Sequence, residues 1–116
     1  MVPLAVASNA ERANVDFVLD GAGLREYFPV ALDSSSVQRP KPWPDIYLLA
    51  AQELGVAPQN CIVFEDSEVG ITAARQAGTR VVGILTGQNP LKEVDLAVAD
   101  FAGLELEPWL AAQQTR

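Results

Sequence analysis

Short apolar runs alternate along this chain with longer segments in which apolar residues recur every three or four positions, the pattern of β-α-β units around a parallel sheet. Leu4 to Ala7 reads as a first strand. It is followed by a helix from about Ala10 to Ala22, with Val15, Val18, Leu19 and Ala22 on its apolar face and Gly23 as its stop. Val30 to Leu32 is a short second strand, after which the prolines of "SSSVQRPKPWP" forbid regular structure. Pro44 suits the first position of the next helix, whose buried stripe is Ile46, Leu49, Ala50 and Leu54, with Gly55 and Pro58 ending it. Ile62 to Phe64 is a continuous apolar strand of the kind buried on both faces. The helix after it, about Val69 to Ala77, carries a face of small residues, Gly70, Ala73, Ala74 and Ala77, that can lie close to a sheet. Arg80 to Leu85 and Leu96 to Val98 are further strands, and Phe101 to about Gln113 is a terminal helix interrupted by Pro108. The expected architecture is α/β, a parallel sheet flanked by helices, in one domain over residues 1–116.

Composition narrows the partners. A formal charge of −7 disfavours nucleic acid and anionic membranes, since both call for a basic surface. No apolar run approaches the roughly 20 residues of a membrane span. Cys61 is the only cysteine, so no intrachain disulfide is available and a reducing cytoplasm is the simplest home. The chain has no histidine, which leaves carboxylates, hydroxyls and lysine for chemistry.

In open parallel sheets, ligands bind beyond the carboxyl ends of the strands. The polar residues there are Ser8 and Asn9, then Asp33 and Ser34, then Glu65, Asp66 and Ser67, then Thr86. Ser8 could cap the helix near Ala10, and Asp66 or Ser67 could cap the helix after the third strand. The adjacent carboxylates of Glu65 and Asp66 also invite a hard cation such as Mg2+. Lys41 alone reads as a solvated charge, yet its flanking prolines stiffen the loop that carries it. "GAGLRE", Gly21 to Glu26, follows a helix rather than a strand and is a helix stop, not a dinucleotide fingerprint. Cys61 and the two tryptophans, Trp43 and Trp109, read as packing residues.

Taken together, "VASN" (Val6 to Asn9), "RPKPWPDIY" (Arg39 to Tyr47) and "VFEDSEVGITAARQAG" (Val63 to Gly78) resemble the second, third and fourth motifs of the haloacid dehalogenase superfamily. The similarity is to its subgroup of β-phosphoglucomutases and small sugar-phosphate phosphatases. The resemblance implies a Rossmann-like core and phosphoryl transfer through an aspartyl-phosphate with Mg2+. It implies that Ser8 donates to the phosphoryl group with the backbone at Asn9 nearby, that Lys41 neutralises charge, and that Glu65 and Asp66 hold the metal. The substrate would be a small phosphorylated metabolite. Where β-phosphoglucomutases follow the motif serine with polar and basic residues, this chain has Ala10 and Glu11. Arg12 could substitute, but the pattern favours a monophosphate phosphatase over a mutase-like isomerase.

The family's first motif, a D-x-D-G-T-like sequence with the nucleophilic aspartate, and its helical cap domain have no counterpart among these 116 residues, which contain no D-x-D. The expectation is a partial core domain without turnover of its own, or a non-catalytic protein that binds a partner or phosphate. In the family the first motif's strand lies between the strands that end here in Ser8 and Glu65. Its absence would leave open sheet edges. Three outcomes are then expected: the sheet closes up, it exchanges an element with another copy, or a strand from other polypeptide completes it.

Overall fold

A computed structural model describes residues 2–84 and 94–98 of the chain. The strands are β1 (Ala5–Ala7), β2 (Val30–Leu32), β3 (Ile62–Glu65), β4 (Arg80–Ile84) and β5 (Leu96–Val98). The helices are α1 (Arg12–Gly21), α2 (Asp45–Leu54) and α3 (Glu68–Ala77). Every strand pairing among the described residues is parallel: β1 with β2 (Val6 opposite Ala31), β3 with β4 (Val63 opposite Val81), and β4 with β5 (Gly83 opposite Ala97). The expected α/β architecture is present. The segment expected as a terminal helix, with Trp109, lies outside the described residues, as does Thr86.

The strands form two sheets, β1-β2 and β3-β4-β5. Among the described residues β1 and β3 each keep one edge without a strand partner and do not pair with each other. One core nevertheless spans both sheets. Helix α2 touches β1, β2 and α3, and α3 touches β3 and β4. Ile46, Tyr47 and Ala50 of α2 share a buried cluster with Leu32, Val63, Val81 and the inner face of α3.

Local chemistry accounts for the helix ends. Gly55 and Gly78 close α2 and α3 in the left-handed conformation, with φ of +71° and +87°, which costs a glycine little. Ser67 caps α3, its hydroxyl accepting from the Gly70 amide at 3.1 Å. The small-residue face of α3 is buried as its sequence suggests: Gly70, Ala73, Ala74 and Ala77 all face inward.

The structure departs from several sequence expectations. Phe64 is 38% exposed, so β3 is buried on the face of Val63 and Glu65 and open on the other. The reason is placement: α3 packs on one face of β3, and Phe64, one residue out of phase, points away from it. Val18 of α1 is 60% exposed while Val15 and Leu19 are buried, which narrows that helix's apolar face. Glu11 is extended, so α1 begins at Arg12. Pro44 immediately precedes α2 instead of starting it. Cys61 lies just before β3 and is half-buried; burial pushes its thiol above the ordinary value. Trp43 is largely exposed and stacks under the Arg39 guanidinium at 4.5 Å. Among the described residues no helix is long and apolar enough to cross a membrane.

Candidate active site

The end of β1 and the end of β3 are joined by a lysine. Lys41, from the proline-rich loop after β2, donates from Nζ to the Ala7 carbonyl at 2.9 Å and to Oε2 of Glu65 at 2.6 Å. These contacts occupy two of the ammonium's three protons. Its side chain is 10% exposed and that of Glu65 8% exposed, so this is a buried ion pair and not a solvated surface charge. The loop is held from below as well. The Lys41 amide donates to Oδ1 of Asn9 at 3.3 Å, and the Lys41–Pro42 peptide bond is cis.

Glu65 is engaged unequally at its two oxygens. Oε2 takes Lys41 and the Tyr47 hydroxyl, the latter at 2.5 Å. Oε1 takes the Asp66 amide and the Ser67 hydroxyl, both at a longer 3.2 Å. Burial by itself would raise the Glu65 pKa, but the bonds from Lys41 and Tyr47 outweigh it and hold the carboxyl below its ordinary value. For Tyr47, burial and the negative charge of Glu65 both push the phenol far above its ordinary value, so it remains a donor. Gly70 makes the arrangement possible: the Glu65 carboxylate occupies the place that a Cβ on Gly70 would take.

The structure thus brings Lys41 into direct contact with both Asn9 and Glu65, with Ser8 and Asp66 their neighbours in the chain. Ser8 does not cap α1. Its hydroxyl accepts from the Ala10 amide at 3.0 Å, and its own amide donates to the Leu32 carbonyl. Asp66 lies exposed at the start of the turn into α3, where Ser67 is the cap. Among the described residues no three acidic, histidine or cysteine side chains gather as a metal cluster. The donor chemistry fits a hard cation as two of its oxygen ligands, Asp66 and the loosely engaged Oε1 of Glu65.

Arg12, the sequence's candidate for gripping a second anionic group, is otherwise committed. Its guanidinium pairs with Asp33 at 2.5 Å and donates to the Ala31 carbonyl at 2.6 Å. Asp33 is buried at the end of β2, where hydrogen bonds from the Ser35 hydroxyl and amide, with Arg12, hold its carboxyl below the ordinary range. A carboxyl depressed on folding adds stability above its unfolded pKa, about 3.9, and loses it as pH falls through the folded value. Thermal melts between pH 2 and 7 should therefore show an acid limb that is shallower in Asp33→Asn. An unchanged limb would mean that Asp33 is not held by these partners.

Tyr47 is a site residue that the hydrophobic pattern does not single out. It lies outside the stripe expected for α2, Ile46, Leu49, Ala50 and Leu54, yet is buried. Its signal is the phenol itself, because a buried hydroxyl must find a partner.

Comparisons with known proteins point one way. A family model described as haloacid dehalogenase-like hydrolase matches residues 1–78, a span that contains Ser8, Asn9, Lys41, Glu65 and Asp66. The chain is 44% identical over 82 residues to fructose-1-phosphate phosphatase YqaB of Escherichia coli K12, covering 71% of this chain and 44% of that protein. It is 40% identical over 101 residues to protein CbbY of Rhodobacter capsulatus, covering 84% of this chain and 44% of that one. Among solved structures, CbbY from Rhodobacter sphaeroides in complex with phosphate superposes with a TM-score of 0.84 at 34% identity, over 90% of this chain and 49% of the other. A family IA, variant 3 hydrolase from Entamoeba histolytica gives 0.86 at 30% identity, over 97% and 54%. The chain spans less than half the length of the curated relatives it matches.

Proposed function

This chain belongs to the haloacid dehalogenase-like hydrolases, and on that premise we propose that it forms the phosphate-binding and cation-binding part of a Mg2+-dependent phosphatase. The substrate class is a small phosphorylated metabolite, a sugar phosphate by analogy with the fructose-1-phosphate phosphatase. The observation that carries the reading is the buried Lys41 ammonium, which links the carboxyl ends of β1 and β3 where Ser8, Asn9, Glu65 and Asp66 also lie.

Each residue has a physical task in this reading. A phosphate dianion among carboxylates is repelled unless cations offset it, and electrostatic positioning is most of phosphoryl-transfer catalysis. Lys41 supplies one such charge, Ser8 a hydroxyl donor, and Asn9 a backbone amide beside a side chain that already holds the Lys41 loop. Glu65 and Asp66 would hold Mg2+, which when bound would neutralise the phosphoryl oxygens. Because Arg12 is committed to Asp33, it does not grip a second phosphate, which favours a monophosphate substrate over a mutase-like isomerase. Residues 1–116 act as one partial core domain, and the nucleophilic aspartate comes from a further strand that pairs with the edges of β1 and β3.

A second reading, a non-catalytic protein that binds phosphate or a partner, is favoured by one observation: the sequence contains no D-x-D. The two are separated by assay. The purified 116-residue polypeptide is expected to bind inorganic phosphate in calorimetry, more tightly with Mg2+ and less so as Asp66→Asn. It is expected not to hydrolyse p-nitrophenyl phosphate until a chain carrying a D-x-D strand is added. Failure of that addition to restore turnover supports the non-catalytic reading. Mg2+-dependent hydrolysis by the polypeptide alone, abolished by Asp66→Asn, would show that no outside aspartate is needed. Absence of phosphate binding would remove the site assignment.

A further inference from the structure

Lys41 and Glu65 meet on a tyrosine. The Tyr47 hydroxyl donates to the same Glu65 oxygen that takes the Lys41 ammonium, at 2.5 Å and 2.6 Å respectively. The Lys41 Nζ also lies 4.9 Å from the centroid of the Tyr47 ring. One side chain therefore holds the acid with its polar tip and the cation with its ring face. Tyr47 is itself 7% exposed and sits on α2, the helix that contacts β1, β2 and α3.

The hydroxyl has a specific effect on its neighbours. With two short donors, both lone pairs of Oε2 are used. Were the hydroxyl absent, one lone pair of a buried oxygen would lack a donor, and the nearest remedy would be a second proton from Lys41 or a rotation of the carboxylate. Either would move the ammonium. A phenylalanine would fill the same space and keep the ring contact, so packing alone does not call for a tyrosine here.

We propose that Tyr47 is a positioning residue: its hydroxyl fixes the orientation of the Glu65 carboxylate and leaves one proton of Lys41 directed to an anion at the strand ends. The second half of this statement rests on the phosphate-site reading above; the first half does not.

Nuclear magnetic resonance on the full chain tests both. In the wild-type protein the buried Tyr47 hydroxyl proton should exchange slowly, resonate downfield and show a cross-peak to the Lys41 ε-methylene, whereas the exposed Tyr27 hydroxyl should not be seen. Absence of that signal overturns the proposal without any variant. In Tyr47→Phe, the amide signals of β4 should stay in place while the Lys41 ammonium and Glu65 carboxyl signals shift; if those two do not shift, the positioning role is wrong. Titration with inorganic phosphate should give about tenfold weaker binding in Tyr47→Phe, and equal affinity overturns the claim that the orientation serves an anion. A wild-type protein that takes up no phosphate defeats the phosphatase reading, while the hydroxyl and side-chain signals still decide the tyrosine's role.

Discussion

Lys41→Met is expected to destabilise the fold by about 3–5 kcal/mol, the usual cost of removing one member of a buried ion pair. Glu65 is 8% exposed, and without the ammonium only the Tyr47 hydroxyl and two longer contacts face its charge. The methionine fills the lysine's volume, so lost packing contributes little. The loss should also depend on pH in a known direction. In the wild-type protein the Glu65 carboxyl is depressed, so its contribution is present above the ordinary carboxylate value and fades as pH falls through the folded value. In Lys41→Met, burial acts without its main offset and raises the same group. The penalty then develops as pH rises past the unfolded value and is smallest in acid. Urea unfolding followed by circular dichroism at pH 4 and pH 7 measures both effects. A second variant, Lys41→Met with Glu65→Met, should recover most of the stability, because a buried pair and an apolar pair of similar volume are nearly equivalent. A loss below about 1 kcal/mol at pH 7 would mean that the pair is solvated like a surface bridge.

Gly70→Ala should destabilise by about 2–4 kcal/mol, although glycine to alanine inside a helix ordinarily gains up to about 1 kcal/mol. Gly70 lies in the first turn of α3, in ordinary helical backbone, and propensity alone favours the alanine. The steric term opposes it and is larger. The place of the new methyl is already taken by the Glu65 carboxylate. A glutamate on the surface would swing aside at little cost. This one is tied to Lys41 and Tyr47, so yielding to the methyl means giving up both contacts in a buried setting. The effect should vanish when the obstacle does. In a Glu65→Ala background, Gly70→Ala should be neutral or stabilising, and the coupling between the two positions is read from the double-variant cycle in urea. Additive losses would show that the carboxylate is not what the methyl meets.

These two results concern a part of the site that was only half legible beforehand. The residues themselves stood out: paired acids at a strand end, a serine at another, and a lysine fenced by prolines. Their strand-end placement follows from hydrophobic runs that stop abruptly at polar residues, a local property. The partners of Lys41 are a different matter. Glu65 is 24 residues away and the Ala7 carbonyl 34, and nothing in the spacing distinguishes this lysine from a solvated one. Tyr47 was not singled out for a related reason: it lies outside the expected stripe of α2, and its carboxylate partner is 18 residues away. Likewise Arg12 could be read as an available cation, because its engagement by Asp33 bridges residues 21 apart.

By itself the sequence determined the elements and their order: parallel strands, the small-residue face of α3, and the glycines that end α2 and α3. It also placed the polar and charged side chains at the strand ends. These are encoded by residues within a turn or two of one another, where periodicity and backbone preference act directly. Only the tertiary structure decided which faces are covered, that β1 and β3 do not pair with each other, and that Lys41, Tyr47 and Glu65 share one oxygen. Those outcomes depend on how α2 crosses from one sheet to the other and where the proline-rich loop places an ammonium. Both are set by contacts between residues far apart in the chain, so no local pattern carries them.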